Sequence, residues 1–354
     1  MALYKKYSYL CITDTPYTLL LYLLYCKEED IKTTFFLLGD NISDEICSKL
    51  PHCYHYSTLR INQWLAKLQQ YGRLYRLFRL YYLKWLYYRW IKICKTPWYT
   101  KYRDIFCIDH IEISSVIIGN RNYTLIEDSP LRCMYYPGKQ MQADICHRNI
   151  MSWVEYKLAG PIHTWQYGSH FFCRQLLFTT PSVPNYLKTK KIIILDVKEK
   201  WENATENQKK QILNVFNCTN EDVLLLQSRN IVLFTQPLYK DIPNFSISDQ
   251  VHLYKKVLSK YPPSQVIIKI HPRDEINYSV FFPKHKLFQK QIPSQLMEVL
   301  DIRHEKAITI FSTAVCMSYP LQIDWYGTEV DERIFKVYGQ IAAPEGARLC
   351  KLEE

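Results

Sequence analysis

The chain has 354 residues, a hydrophobic fraction of 48% and a formal net charge of +11, with a sequence pI near 8.9. This length and apolar content suit two domains with full cores and exclude a disordered chain. The basic excess favours a polyanionic partner, either nucleic acid or anionic lipid.

Tyr7 to Thr13 reads as a strand, and Thr15-Pro16 opens the helix that follows. Its apolar stretch Tyr17 to Cys26 is too short to cross a bilayer and fits a core helix. No signal peptide is recognised, so a cytoplasmic protein is expected. Of the 12 cysteines, none forms a Cys-x-x-Cys or other metal spacing. Free buried thiols and a reducing compartment follow from that pattern.

Thr33 to Leu38 is a second strand, closed by Gly39-Asp40-Asn41, and a short one lies at His52 to Tyr56. The segment Trp64 to Lys95 then carries Lys67, Arg73, Arg76, Arg79, Lys84, Arg89, Lys92 and Lys95 and no acidic residue. Leu68, Tyr71, Tyr75, Phe78, Tyr82 and Trp85 advance by alternating steps of three and four, so they share one helical face. A basic, aromatic-rich helix suits the headgroup region of an anionic membrane. Core packing with a solvated basic side is the structural alternative. Interleaved cations and aromatics also bind single-stranded nucleic acid. No nucleic-acid-binding motif accompanies them, so no nucleic-acid partner is expected.

Asp104 to Ile108 and Tyr123 to Glu127 complete a parallel set. The latter ends in Glu127-Asp128-Ser129-Pro130, where either carboxylate could serve as general base for an acceptor hydroxyl. Asp-Ser-Pro is equally ordinary turn chemistry. From Pro130 to Asn185 the chain is aromatic and without clear period. A second series follows: Lys191 to Val197, Ile231 to Thr235, Val266 to Ile270, Lys286 to Gln289, Ala307 to Phe311 and Gln322 to Trp325, with a helix over Ser248 to Tyr261. Alternating strands and helices predict two Rossmann-like, doubly wound α/β domains facing a cleft, divided as 1–188 and 189–354. This is the GT-B architecture, which does not by itself establish an activity.

Ligands of such sheets bind beyond the carboxyl ends of the strands. Val266 to Ile270 delivers Lys269 and His271-Pro272 there, a cation and an imidazole suited to an anion. Ala307 to Phe311 runs into Ser312-Thr313, hydroxyls at a strand-to-helix turn that bind phosphate or simply cap the helix. Ile231 to Thr235 leads to a polar loop ending in Asp241. The chain has no Walker motif, Gly-x-Gly-x-x-Gly, His-Glu-x-x-His, Gly-x-Ser-x-Gly or Asp-x-Asp.

Five segments together resemble the bacterial glycosyltransferase family 52, which includes lipooligosaccharide α-2,3-sialyltransferases. They are Cys11-Ile-Thr-Asp-Thr-Pro-Tyr17, Leu233-Phe-Thr-Gln-Pro-Leu238, Lys269-Ile-His-Pro272, Phe311-Ser-Thr-Ala314 and Asp324-Trp-Tyr-Gly-Thr328. The resemblance implies an inverting, metal-independent sialyltransferase without cofactor. Its donor is CMP-sialic acid and its acceptor a lipid-linked glycan such as lipooligosaccharide, lipopolysaccharide or capsule. It places Glu127-Asp128 and His271-Pro272 at the acidic and His-Pro motifs of bacterial sialyltransferases. Lys269, His271, Ser312 and Thr313 then contact the CMP phosphate. Ser129 stands where the acidic motif has Gly. Gln295 stands where the family often has a Glu for the nucleotide's ribose or base, and it keeps hydrogen bonding without the charge. For the base, the acidic pair ranks first and Asp241 second, with Asp249 matching by distance from His271. The implied location is the cytoplasmic face of the inner membrane, held peripherally through 64–95, and the family allows a homodimer. Another nucleotide-sugar donor on the same scaffold is the enzymatic alternative. A non-catalytic basic membrane- or nucleic-acid-binding α/β protein is the other.

Overall fold

A computed structural model describes residues 7–56, 78, 80–82, 84–85, 103–118, 121–128, 157–158, 167–181, 183, 187–318 and 320–352. The chain divides into two units, Met1–Ile212 and Leu213–Glu354. Most of the basic segment 64–95, Ser129-Pro130 and much of 130–185 lie outside the described residues. Within 64–95, Leu80 and Tyr82 are buried while Phe78, Tyr81 and Trp85 are exposed. Among the described residues no helix is long and apolar enough to cross a membrane.

The first unit holds a seven-stranded sheet made of β1 (Tyr9–Thr13), β2 (Thr34–Leu38), β3 (Cys53–His55), β4 (Asp104–Cys107), β5 (Tyr123–Ile126), β6 (Cys173–Phe178) and β7 (Lys191–Ile194). Its order is β3-β2-β1-β4-β5-β6-β7, and every pairing is parallel. The inner strands are covered on both faces, so β1 reads as an unbroken buried run, Tyr-Leu-Cys-Ile-Thr. The helix Pro16–Tyr25 starts as expected: Thr15 caps the Thr18 N–H and Pro16 stands in its first turn. Residues Thr18 to Leu24 are all buried, which makes it a core helix.

The second unit holds β8 (Ile231–Phe234), β9 (Val266–Lys269), β10 (Lys286–Phe288), β11 (Lys306–Thr309), β12 (Gln322–Trp325) and β13 (Arg348–Leu349). Their order is β10-β9-β8-β11-β12-β13, again all parallel. Both sheets thus have the doubly wound order in which the chain reverses direction beside its first strand. In each sheet taken by itself, ligands are expected at the strand ends beside that reversal, those of β1 and β4 in the first unit and those of β8 and β11 in the second.

Three expectations are corrected. Lys191–Ile194, expected to open the second series, pairs with β6 and closes the first sheet. The structure adds β6 and β13, which the sequence did not reveal. Cys47 and Cys53 form a disulfide, against the expectation of free thiols throughout. They flank the turn from the helix Asp44–Lys49 into β3, so the bridge ties an edge strand to the helix before it. Cys11, Cys26, Cys107, Cys173, Cys218, Cys316 and Cys350 are free.

Candidate active site

In the second unit, β8 organises the strand ends on either side of it. The Thr235 hydroxyl accepts the His271 N–H at 2.9 Å. The Gln236 amide oxygen accepts the Phe311 N–H at 3.1 Å, and the Gln236 N–H itself donates to the buried Tyr254 hydroxyl at 2.7 Å. One polar dipeptide therefore fixes the approaches of both the His271 and the Ser312 segments across the reversal point of the sheet.

Lys269, the last residue of β9, is only 6% exposed. Its ammonium donates to the Ile292 carbonyl at 2.9 Å, and burial pulls its pKa down to about 8. That contact brings Lys269 to the turn carrying Gln295, which is buried at the start of the helix Ser294–Val299. His271 is partly buried. Its Nδ1 accepts the Arg273 N–H at 3.1 Å, so the neutral ring carries its proton on Nε2. Burial first, then the Arg273 and Lys269 charges, lower its pKa to about 3. The free protein thus offers a hydrogen-bond donor there rather than an imidazolium. Ser312 accepts the Ala314 N–H at 3.3 Å and so caps its own short helix, in which Thr313 is the first residue.

Asp241 ends the helix Leu238–Asp241 and meets the Arg273 guanidinium at 2.8 and 2.7 Å, one bond to each oxygen. Asp249 caps the helix Ile247–Leu258, accepting from the Ser246 N–H at 2.8 Å and hydroxyl at 2.6 Å. Those bonds, with Arg333, hold its carboxyl well below the usual range. Both carboxylates are thus engaged by an arginine.

In the first unit the acidic pair ends β5. Glu127 is 5% exposed. One of its oxygens accepts the Thr179 N–H at 3.1 Å, the Thr179 hydroxyl and the Tyr17 hydroxyl. It ties β5 to the end of β6 and to the first helix, and burial raises its pKa. Asp128 is less buried and faces His110 Nε2 at 3.7 Å. His110 follows β4 and stacks on Tyr167. The neighbouring Asp109 is fully buried and accepts the Tyr123 hydroxyl and the N–H groups of Tyr167 and Gly168.

Asp14, at the end of β1, completes this edge. Asn41 donates to both its oxygens, at 3.2 and 2.6 Å, and a Cβ on Gly39 would collide with it. Burial pushes its pKa up to about 6, and the charges of Asp128 and Asp40 add to the rise. Asp14, Asp128 and His110 therefore gather on three strand ends at the reversal point. Asp14 and His110 had no sequence signal of their own. Asp14 lies inside the quoted Cys11–Tyr17 segment, yet only the pairing of β1 with β4 brings it beside residues about a hundred positions away.

The chain is similar to several known proteins. The chain is 29% identical over 239 residues to an uncharacterized protein of Haemophilus influenzae (strain ATCC 51907 / DSM 11121 / KW20 / Rd), covering 67% of this chain and 72% of that one. A sialyltransferase structure from Photobacterium damsela aligns over 97% of this chain and 81% of its own, at 10% identity and a TM-score of 0.48. The GT-B domain of a Photobacterium damselae sialyltransferase aligns over 93% and 94%, at 11% identity and a TM-score of 0.49. The model of glycosyltransferase family 52 matches residues 168–333. That range holds Lys269, His271, Gln295, Ser312 and Thr313, while Glu127 and Asp128 precede it. The kinship expected from the strand-end motifs is thereby met over residues 168–333, and this chain is a glycosyltransferase carrying a family 52 region.

Proposed function

We propose that the chain is an inverting, metal-independent sialyltransferase that moves sialic acid from CMP-sialic acid to a cell-surface glycan. The observation that carries this reading is the β9 strand end. A buried ammonium and a neutral imidazole that carries its proton on Nε2 stand at one strand end, where a sheet of this order binds its ligand. An arriving phosphate offsets the cost of burying the Lys269 charge, and it accepts from His271. Charge building on the departing CMP then strengthens both bonds, which is how fixed donors speed a transfer.

Asp128 takes the proton of the acceptor hydroxyl. It is the less buried member of the acidic pair, and His110 Nε2 stands 3.7 Å from it. Glu127 positions it by fixing the end of β5. The hydroxyl oxygen attacks the anomeric carbon from the face opposite CMP, so configuration inverts. Asp241 ranks below Asp128 because two bonds to Arg273 already engage its oxygens. The first unit serves the acceptor and the second the nucleotide sugar. The enzyme works at the cytoplasmic face of the inner membrane, held by the basic segment 64–95.

Thermal-shift titration with CMP, UMP and GMP, followed by CMP release from CMP-sialic acid, tests the donor. Stabilisation by CMP and release of CMP are expected. Preference for UMP or GMP moves the donor to another nucleotide sugar, and no nucleotide response leaves a non-catalytic protein. For the membrane, Arg73, Arg76 and Arg79 replaced by Gln should shift protein from anionic vesicles to the supernatant, because each basic group contributes on the order of 1 kcal/mol there. Unchanged sedimentation rejects that anchor.

A further inference from the structure

Glu127 uses its two oxygens unequally. Oε1 accepts three bonds, from the Thr179 N–H at 3.1 Å, the Thr179 hydroxyl and the Tyr17 hydroxyl. A contact of 3.2 Å between the two hydroxyls closes the group. Oε2 accepts from no donor among the described residues. A carboxylate oxygen has about two lone-pair sites, so Oε1 is filled while Oε2 keeps its whole accepting capacity. The residue is only 5% exposed. An anionic oxygen that is buried and lacks a donor is costly. Such an atom in a native fold calls for an explanation, and a ligand that brings the donor supplies one.

The place of Glu127 fits a ligand. It follows the last residue of β5, at the carboxyl end of a doubly wound sheet. Its bonds tie it to Thr179, just after β6, and to Tyr17 in the first turn of the helix Pro16–Tyr25. Held by three donors on one side, the carboxyl group keeps Oε2 in one direction before any ligand arrives, which lowers the ordering cost of binding. Burial raises its pKa, and the three donors oppose that rise. Asp128 is the next residue. The Tyr17 hydroxyl that holds Glu127 also feels the Asp128 charge, so both carboxylates lie beside one helix turn. Carboxylates on consecutive residues suit two neighbouring hydroxyls of one sugar ring. An oxygen that only accepts takes a hydroxyl proton and repels phosphate or carboxylate, so the ligand class is a neutral polyol.

We infer that Glu127 binds the acceptor directly: its Oε2 accepts the hydroxyl next to the one that reacts, and it thereby selects glycans with two neighbouring free hydroxyls. This rests on the reading of the first unit as the acceptor side. Its role is distinct from that of Asp128, which takes the proton.

The test uses the full chain and a readout that needs no turnover. Saturation-transfer NMR titrations with methyl β-lactoside and its monodeoxy analogues, with CMP present, are compared for wild type, Glu127→Gln and Thr179→Val. Gln keeps an oxygen for the three donors and puts an amide N–H₂ in place of Oε2, so the melting midpoint should hold. Wild type should bind the analogue that lacks the partner hydroxyl roughly tenfold or more weakly, the range for a hydrogen bond to a charged group. Glu127→Gln should bind the parent lactoside more weakly by a similar factor and show no further loss with that analogue. Thr179→Val retains Oε2 and should retain the penalty. A Glu127 that serves only as a strut predicts wild-type behaviour in Glu127→Gln, and that result overturns the inference. So does absence of lactoside binding to wild type, or wild-type affinity for every monodeoxy analogue equal to that for the parent, neither of which depends on a variant. CMP release from CMP-sialic acid is followed in parallel. Loss of release in Glu127→Gln at saturating lactoside, with lactoside affinity unchanged, makes Glu127 the base and overturns the inference as well. Lactoside binding that depends on Glu127 without any CMP release leaves the inference standing and removes the sialyl-donor reading.

Discussion

The carboxyl ends of the two sheets share a geometry and differ in charge. Both sit where a doubly wound sheet reverses direction, and in both burial pushes ionisable groups toward their neutral forms. At the first sheet the groups are carboxyls, and Asp14 is raised to about 6. At the second they are a lysine lowered to about 8 and a histidine lowered to about 3. In the proposed reading a phosphate is repelled by the first edge and offsets the burial cost of the Lys269 charge at the second. In the same reading a neutral hydroxyl needs nothing from the second edge and meets its base at the first. One architecture would then supply an acceptor site and a donor site through the choice of a few strand-end residues.

The sharpest way to break this division is to remove the base. Asp128→Asn keeps size and polarity but cannot take a proton. Turnover should fall by roughly 10²–10⁴, the range for a lost general base, while CMP affinity stays within about twofold. Asp241→Asn and Asp249→Asn should retain turnover near wild type, because both carboxylates are held by arginines in the other unit. Steady-state kinetics at saturating acceptor separates these outcomes. Loss of turnover in Asp241→Asn with none in Asp128→Asn moves the base to the second unit and ends the comparison.

A smaller effect is expected at the donor end. His271→Ala removes one aimed donor among several groups, and kcat should fall by about a hundredfold. Donor KM should change little, since Lys269 remains. If KM rises with kcat unchanged, His271 binds ground and transition states alike and is not catalytic. The pH profile adds a check. His271 is neutral across the working range, so its removal should leave the acid limb of kcat/KM in place.

Much of this was legible in the residues, and what was missed has physical reasons. Val266 to Lys269 is an apolar run ending in its own functional groups, so strand and site are written consecutively. The same holds for β5 and the Glu127-Asp128 pair. Lys191–Ile194 was also recognised as a strand, but sequence order does not reveal which sheet it joins. β6 was hidden because Cys173-Arg-Gln-Leu-Leu-Phe178 follows an aromatic stretch without period. β13 is two residues long and exposed, too short for any pattern. Asp14 and His110 follow ordinary strands, and their role exists only through β1–β4 pairing. Asp241 looked free in sequence because nothing there shows that Arg273 folds back onto it.

The smallest effect separates the two edges by sign. Asp14 has a folded pKa near 6 against an ordinary 3.8. Between those values the native state holds a proton that the unfolded chain has released. Its contribution to stability therefore falls as pH rises through that window. His271 has a folded pKa near 3 against an ordinary 6.5. Between those values the unfolded chain holds the extra proton, so its contribution rises with pH. Urea unfolding at pH 4, 5 and 6 can isolate each term by difference. Wild type minus Asp14→Asn should decline across the series, and wild type minus His271→Ala should climb, each by on the order of 1 kcal/mol. Subtraction within each pair cancels the other titrating groups as well as the constant cost of the substitution. Slopes of the same sign would mean that burial does not act on the two edges in opposite senses, and the proposed split between a base-bearing edge and an anion-binding edge would lose its electrostatic ground.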